Sequence, residues 1–294
     1  MATPGESVAA GQGTGSALAE FTRLIAAELG VPAAELPGFP EVALRVRQVL
    51  SRDNVSIDEV VRVVSAEPSL AVRLLQLANS VALNPGRQRI TTLRTAVARV
   101  GFSLARTATI AFAMSQMRRA EAWRELSVRF RQIWEQSARL AATSFVVARQ
   151  LGRLDADQAL LAGMLQAVGK LFVLIRISRF PTLLADPVIA TEVEQVWQGR
   201  AVRALLVRWD LPQEVLDAAS ADPADARVEG LPSLTDVLNV ARHLVQVRDV
   251  TSLSEAAFLN SVPFQRLGLD GAGAAQVLEQ SAAEIASLRA ALAD

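Results

Sequence analysis

The chain has 294 residues, 51% of them hydrophobic and 20% charged, a globular composition able to bury a large core. With no cysteine and a single histidine, His243, it excludes disulfide frameworks, thiolate zinc sites, Fe–S clusters, cysteine nucleophiles and multi-histidine metal centres, leaving only a carboxylate site open. Thirty basic side chains balance thirty acidic ones, which argues against bulk attraction to nucleic acid or to an anionic membrane.

In chain order, residues 1–16 carry four glycines and a proline and no basic segment leading into an apolar run. They read as a disordered tail, not an export signal, and a helix over residues 17–35 follows. Leu36-Pro37-Gly38-Phe39-Pro40 is a rigid lead-in to the next helix. Ser56 and Glu59 have the spacing of a capping box, in which each side chain satisfies a free backbone N–H of the other. Ile57, Val60, Val61 and Val64 then form one apolar face. Pro68 suits a first helical turn, where its missing N–H has no partner to lose. The run LAVRLLQLA over residues 70–78 is apolar almost all round and predicts a central helix.

Helical periodicity continues over residues 93–100, 103–117, 128–151 and 155–177, with breaks at Gly101, Gly152 and Asp186-Pro187. Residues 170–177 have a strand-like Phe/Val/Ile content but continue the preceding pattern with no breaker other than Gly169, so helix is expected. A loop rich in Asp, Pro and Ala spans residues 221–232, and helices are expected near 233–246, 252–260 and 273–292. Tyrosine is absent, and no period-2 run is bounded by hairpin turns. The fold class is all-α. The most apolar windows, such as residues 104–117, are interrupted by polar side chains and fall short of about 20 apolar residues, so no membrane span and a cytoplasmic location are expected.

The chemistry-bearing motifs are few. There is no P-loop, dinucleotide-binding glycine fingerprint or nucleophile elbow. His243 lies in NVARHLVQV, on a helix expected to turn Val240, Leu244 and Val247 to the core, and reads as a capping or surface side chain. Asp155 and Asp157 suit the positive end of a helix, while Glu192 and Glu194 are too close in sequence to share a helix face and read as solvated. Of the thirty basic side chains one is lysine, Lys170, and the other 29 are arginine. Arg87, Arg89, Arg94, Arg99 and Arg106 form a candidate patch for a phosphate or an acidic partner. Because arginine replaces lysine throughout, solvation of helix faces is the favoured reading. Residues 93–112 also have a helix-turn-helix look, but the balanced charge does not support a DNA reader.

The run LPGFPEVALRVRQVLSRDNVSIDEVVRVVSAEPSLAVRLLQLANS (residues 36–80) closely resembles the start of the HDOD family, the output-domain relative of the HD-type metal phosphohydrolases. ITTLRTAVARVG (90–101), WEQSARLAA (134–142), AGMLQAVGKLFVL (162–174) and WDLPQE (209–214) match the family pattern in the same order. The resemblance implies an HD-like helical core over residues 36–222, preceded by the N-terminal helix and followed by a C-terminal helical extension over 223–294. Catalytic relatives hold metal with histidines and an adjacent His-Asp pair. At the matching positions this chain has Gln136, Gln166-Ala167, Gln198, and Ala221 with Asp222. A glutamine amide supplies neither a carboxylate charge nor an imidazole, so no catalytic residue, metal or cofactor is expected.

Two uses of that pocket follow. Gln136, Gln166 and Gln198 could hydrogen-bond to one another or to backbone, the favoured reading; alternatively, together with Lys170, they could receive a ligand. The function implied is a non-catalytic bacterial signalling module that binds other proteins, such as a response regulator, cyclase or kinase. The alternative is a sensor of a nucleotide, for example a cyclic dinucleotide.

Overall fold

The computed structural model describes residues 4–31, 40–52, 54–86, 88–207, 209, 211–222, 230–246 and 257–293. Helix α1 (Pro4–Leu29) starts well inside the segment expected to be a disordered tail. Pro4 carries the fixed φ a first turn needs, and further along the helix Phe21 and Ile25, each 1% exposed, anchor it to the core. Residues 32–39, including most of the expected Leu36–Pro40 lead-in, lie outside the described residues. After α2 (Glu41–Leu50), the capping box closes as its spacing predicts. Glu59 N–H donates to Ser56 Oγ at 3.3 Å and Ser56 N–H donates to Glu59 Oε2 at 3.0 Å, which starts α3 (Ile57–Ser65). Pro68 opens α4 (Pro68–Ala78).

Helix α5 (Leu93–Arg119) contains the break expected at Gly101, whose φ of 71° and ψ of 178° lie in a region open essentially to glycine alone. A 3-10 turn (Glu121–Leu126) leads into α6 (Ser127–Leu151), and Asp155 caps α7 (Ala156–Ile177) by accepting from Gln158 N–H at 3.0 Å. The Phe/Val/Ile-rich end of α7 is helical, as expected. Beyond it lie α8 (Pro181–Ala185), α9 (Pro187–Leu206, capped by Asp186), α10 (Gln213–Ser220) and α11 (Leu234–Gln246). Of the helix expected near 252–260, residues 252–256 lie outside the described residues, and Ala257–Asn260 is a 3-10 turn. After α12 (Val262–Leu267), the last expected helix is two, α13 (Gly271–Gln280) and α14 (Ala282–Ala293), separated at Ser281. No strand occurs among the described residues.

Helix α7 is the axis of the molecule: every residue from Ala159 to Ile177 except Lys170 is buried. It packs against α5, α6, α9, α10 and α11, and the α9 crossing is close. A Cβ at Gly169 would lie 2.3 Å from the Gln198 carbonyl oxygen, so only glycine lets α9 approach there. By length and composition, Leu93–Met117 and Ala156–Ile177 could each cross a membrane, which corrects the expectation that every apolar window is too short. Both sit in the interior of this fold, their most apolar windows 67% and 94% buried.

Both ends of the chain are tied to this core. Arg176 forks onto Glu28 of α1, with Nε to Oε2 at 3.0 Å and Nη2 to Oε1, and stacks over the Phe172 ring at 3.8 Å. Helix α14 packs on α4, α5 and α6. There the buried Arg73 donates to the Leu292 carbonyl, Arg149 pairs with Glu284, and Val81 N–H donates to Ser287 Oγ at 3.0 Å.

Candidate functional site

One face of α7 carries Gln166, Lys170, Val173, Leu174 and Ile177, spaced to form a stripe along a helix. Facing that stripe are Gln136 and Arg139 of α6, Glu194 and Gln198 of α9, and Asn239, Arg242 and His243 of α11, around a cavity of about 900 Å³. The tight α7–α9 crossing at Gly169 brings the backbone of Gln198 against α7, and Gln166 and Gln198 both line the cavity. Gln166 is 5% exposed on the inner wall, whereas Gln136 and Arg139 are exposed at the mouth.

The polar lining is unevenly satisfied. Lys170 Nζ pairs with Glu194 Oε1 at 3.1 Å, Arg129 Nη2 donates to the Leu184 carbonyl at 3.0 Å, and Arg242 donates to Asn239 Oδ1. Burial lowers the Arg242 guanidinium to about 10, with the Asp222 charge opposing the shift, so Arg242 stays charged near neutrality. Burial, followed by the repulsion of Arg242, holds His243 below the usual imidazole value. Gln166 Nε2 and Gln198 Oε1 are buried with no hydrogen-bond partner among the described residues. The expected mutual bonding of the glutamines is therefore not formed: the two side chains line the same cavity without a hydrogen bond between them.

This donor set does not fit a divalent metal. Among the described residues the lining offers one carboxylate, already paired with Lys170, one imidazole and neutral amides, where catalytic metals require several charged or imidazole ligands converging. No group of three or more His, Asp or Glu side chains that could hold an ion occurs among the described residues.

Four of the expected pocket residues, Gln136, Gln166, Lys170 and Gln198, line one cavity. Two do not. Ala167 is fully buried on another face of α7, and Asp222 is exposed beyond the end of α10, reaching the site only through its charge near Arg242. Two side chains read as bland are also at the cavity. Glu194 is the partner of Lys170, and half-buried His243 faces the cavity with its ring 6.2 Å from Phe264. The available signal was the polar stripe Asn239, Arg242, His243 and Gln246, spaced i, i+3, i+4 and i+7 on a helix whose Val240 and Leu244 are buried.

Three members of the candidate basic patch are engaged within the chain. Arg94 pairs with Asp58 of α3, Arg99 Nε donates to the Leu83 carbonyl at 3.1 Å, and Arg106 donates to the Leu50 carbonyl at the end of α2. Arg89 is exposed, and Arg87 lies outside the described residues. The segment of α5 after Gly101 is largely buried, so it is unavailable as a DNA recognition helix.

The HDOD domain family matches residues 36–223, a span that contains α2 through α10 and three walls of the cavity. No curated protein matches the chain. Among solved structures, a Shewanella amazonensis SB2B protein provisionally named a metal-dependent phosphohydrolase is similar at TM-score 0.67 and 20% identity, over 93% of this chain and 99% of its own. A Geobacter sulfurreducens HDOD domain protein of unknown function is similar at TM-score 0.58 and 20% identity, over 88% and 92%. A Marinobacter aquaeolei VT8 protein provisionally named in signal transduction gives TM-score 0.57 and 20% identity, over 88% of this chain and 60% of its own. At these identities the likeness is one of fold.

Proposed function

The chain belongs to the HDOD family, and from that premise we propose that it is a non-catalytic bacterial signal-transduction module working in the cytoplasm by binding other proteins. The observation that supports this reading is the chemistry of the cavity lining. Where a metal phosphohydrolase needs converging histidines and aspartates, this cavity has Gln136, Gln166 and Gln198. Glu194 is held by Lys170, and His243 stands alone as an imidazole. A metal-activated water has no set of ligands to generate it. The partners that suit such a module are a response regulator, a nucleotide cyclase or a kinase.

The test is hydrolysis of bis(p-nitrophenyl) phosphate with added Mn²⁺. The expected rate equals the protein-free blank at every metal concentration. A metal-dependent rate that disappears in Gln166→Ala overturns the reading. On the positive side, a cyclase, kinase or response regulator captured from the native host should bind the purified chain directly, as a stoichiometric complex by light scattering.

A further inference from the structure

Resting on the protein-binding reading and deepening it, we propose that the groove between α4 and α5 docks an acidic amphipathic helix of a partner protein. Helix α4 is the starting point. Its exposed residues are Pro68, Ser69, Val72 and Gln76, and its one charged side chain, Arg73, is buried. The four share one helix face, and all of them line a groove of about 320 Å³ together with Phe112 and Arg119 of α5. The outer face of α4 therefore carries no charge, in a chain 20% charged. Val72, 53% exposed, leaves a large apolar side chain to solvent in the same lining as the buried Phe112. Charge is depleted at the centre of protein–protein interfaces, where apolar and aromatic groups take its place. The volume lies at the bottom of the small-molecule range, which suits a row of side chains from one helix laid between two others.

The charge around the groove selects an acidic occupant. Arg119 is exposed and has no hydrogen-bond or ion-pair partner among the described residues, and no acid is among the described residues of the lining. Arg62 of α3 and Arg289 of α14, on helices that pack against α4, are likewise exposed and without a partner there. The acids of those helices are already engaged. Asp58 pairs with Arg94, Glu59 with Arg52 at 2.8 Å, and Glu284 with Arg149, while Glu67 accepts from Ser69 N–H at 3.3 Å. Helix α5 has no acid over its 27 residues. Of the two acids just beyond it, Glu121 pairs with Arg124 at 3.2 Å, and Glu125 is outside the lining. In a chain of zero net charge, an uncharged face bordered by available guanidinium groups is a local excess that a partner's carboxylates complement. The occupant is a helix with apolar residues at i, i+3, i+4 and i+7 and with Glu or Asp flanking that stripe.

The test is fluorescence polarisation of the full chain with three labelled helical peptides of about 14 residues. The first carries Leu at i, i+3, i+4 and i+7 with Glu flanking the stripe. The second replaces every Glu by Lys, and the third keeps the first composition with its Leu positions scrambled. The first should bind with a Kd of about 10–500 µM, and the other two about 10-fold or more weakly. Val72→Glu, at an exposed position, should weaken the first peptide about 10-fold or more. Arg119→Glu should invert the preference, so that the lysine peptide binds more tightly than the glutamate one. The proposal is overturned if the parent binds the glutamate and lysine peptides alike, if scrambling changes nothing, or if Val72→Glu binds like the parent. A dimer of the chain that Val72→Glu dissociates, measured by sedimentation, also overturns it and assigns the groove to a second copy. A signalling protein of the native host that binds the parent and Val72→Glu equally removes this groove and leaves the protein-binding reading standing. The absence of any such protein removes that reading and this proposal with it.

Discussion

Asp157 carries a charge in the wrong place for stability. It sits half-buried in the first turn of α7, and burial, with Asp155 two positions earlier, raises its carboxyl from 3.8 to about 6. A carboxyl that binds its proton more tightly in the folded state contributes its full stability below about pH 4 and loses it as pH rises through about 6. Asp157→Asn should therefore stabilise the protein by about 1–2 kcal/mol near neutral pH, a figure reduced for the partial exposure of the group. That gain should vanish toward pH 4 in urea titrations; an equal gain at both pH values would refute the assignment. At this scale the sequence was partly legible. Gln136, Gln166, Lys170 and Gln198 could be named because a family resemblance aligned them. His243 had only the polar stripe of its helix to mark it, and nothing local says that the last turn of α11 folds back beside Gln136 and Gln166.

Helix starts were the most readable elements, since a cap is a bargain struck within four residues: Ser56 with Glu59, Asp155 with Gln158, and Asp186 with Val188 and Ile189. The breaks at Gly101 and Asp186-Pro187 were legible for the same reason. The helicity of residues 4–16 was not, because four glycines lower intrinsic propensity while the docking of Phe21 and Ile25 further along α1 is a long-range contact. Nor could a sequence with no alignment show which helices cross closely. At Gly169 a Cβ would meet the Gln198 carbonyl oxygen at 2.3 Å and Val202 Cγ2 at 2.6 Å. Gly169→Ala should therefore cost about 3 kcal/mol or more by forcing α7 and α9 apart. Gly86→Ala, where nothing lies within 4 Å of the added carbon, should stay within about 0.5 kcal/mol. Urea midpoints compare the two, and similar losses would contradict the close crossing.

As a whole molecule, the protein is larger than the segment that matches its family. Helix α14 lies beyond residue 223, yet its Leu288 and Leu292 are fully buried, and Arg73, 4% exposed, takes the Leu292 carbonyl as a partner. A chain ending at residue 270 should lose cooperative thermal unfolding and the near-UV signal of its tryptophans, because it uncovers α4 and α6 and leaves a buried guanidinium short of that acceptor. Retention of a sharp transition would show that the last two helices are an independent appendage. A different consequence follows from Lys170. It is the only lysine in the chain, and it stands at the cavity, beside Glu194. The 29 arginines are inert to amine-directed acylating reagents, so apart from the terminal amine such a reagent has one address on this chain. The extent of acylation, counted by intact mass, then reports on that single ε-amine without an engineered label. Every lysine-directed modification of this chain, chemical or enzymatic, is by composition a modification of the cavity.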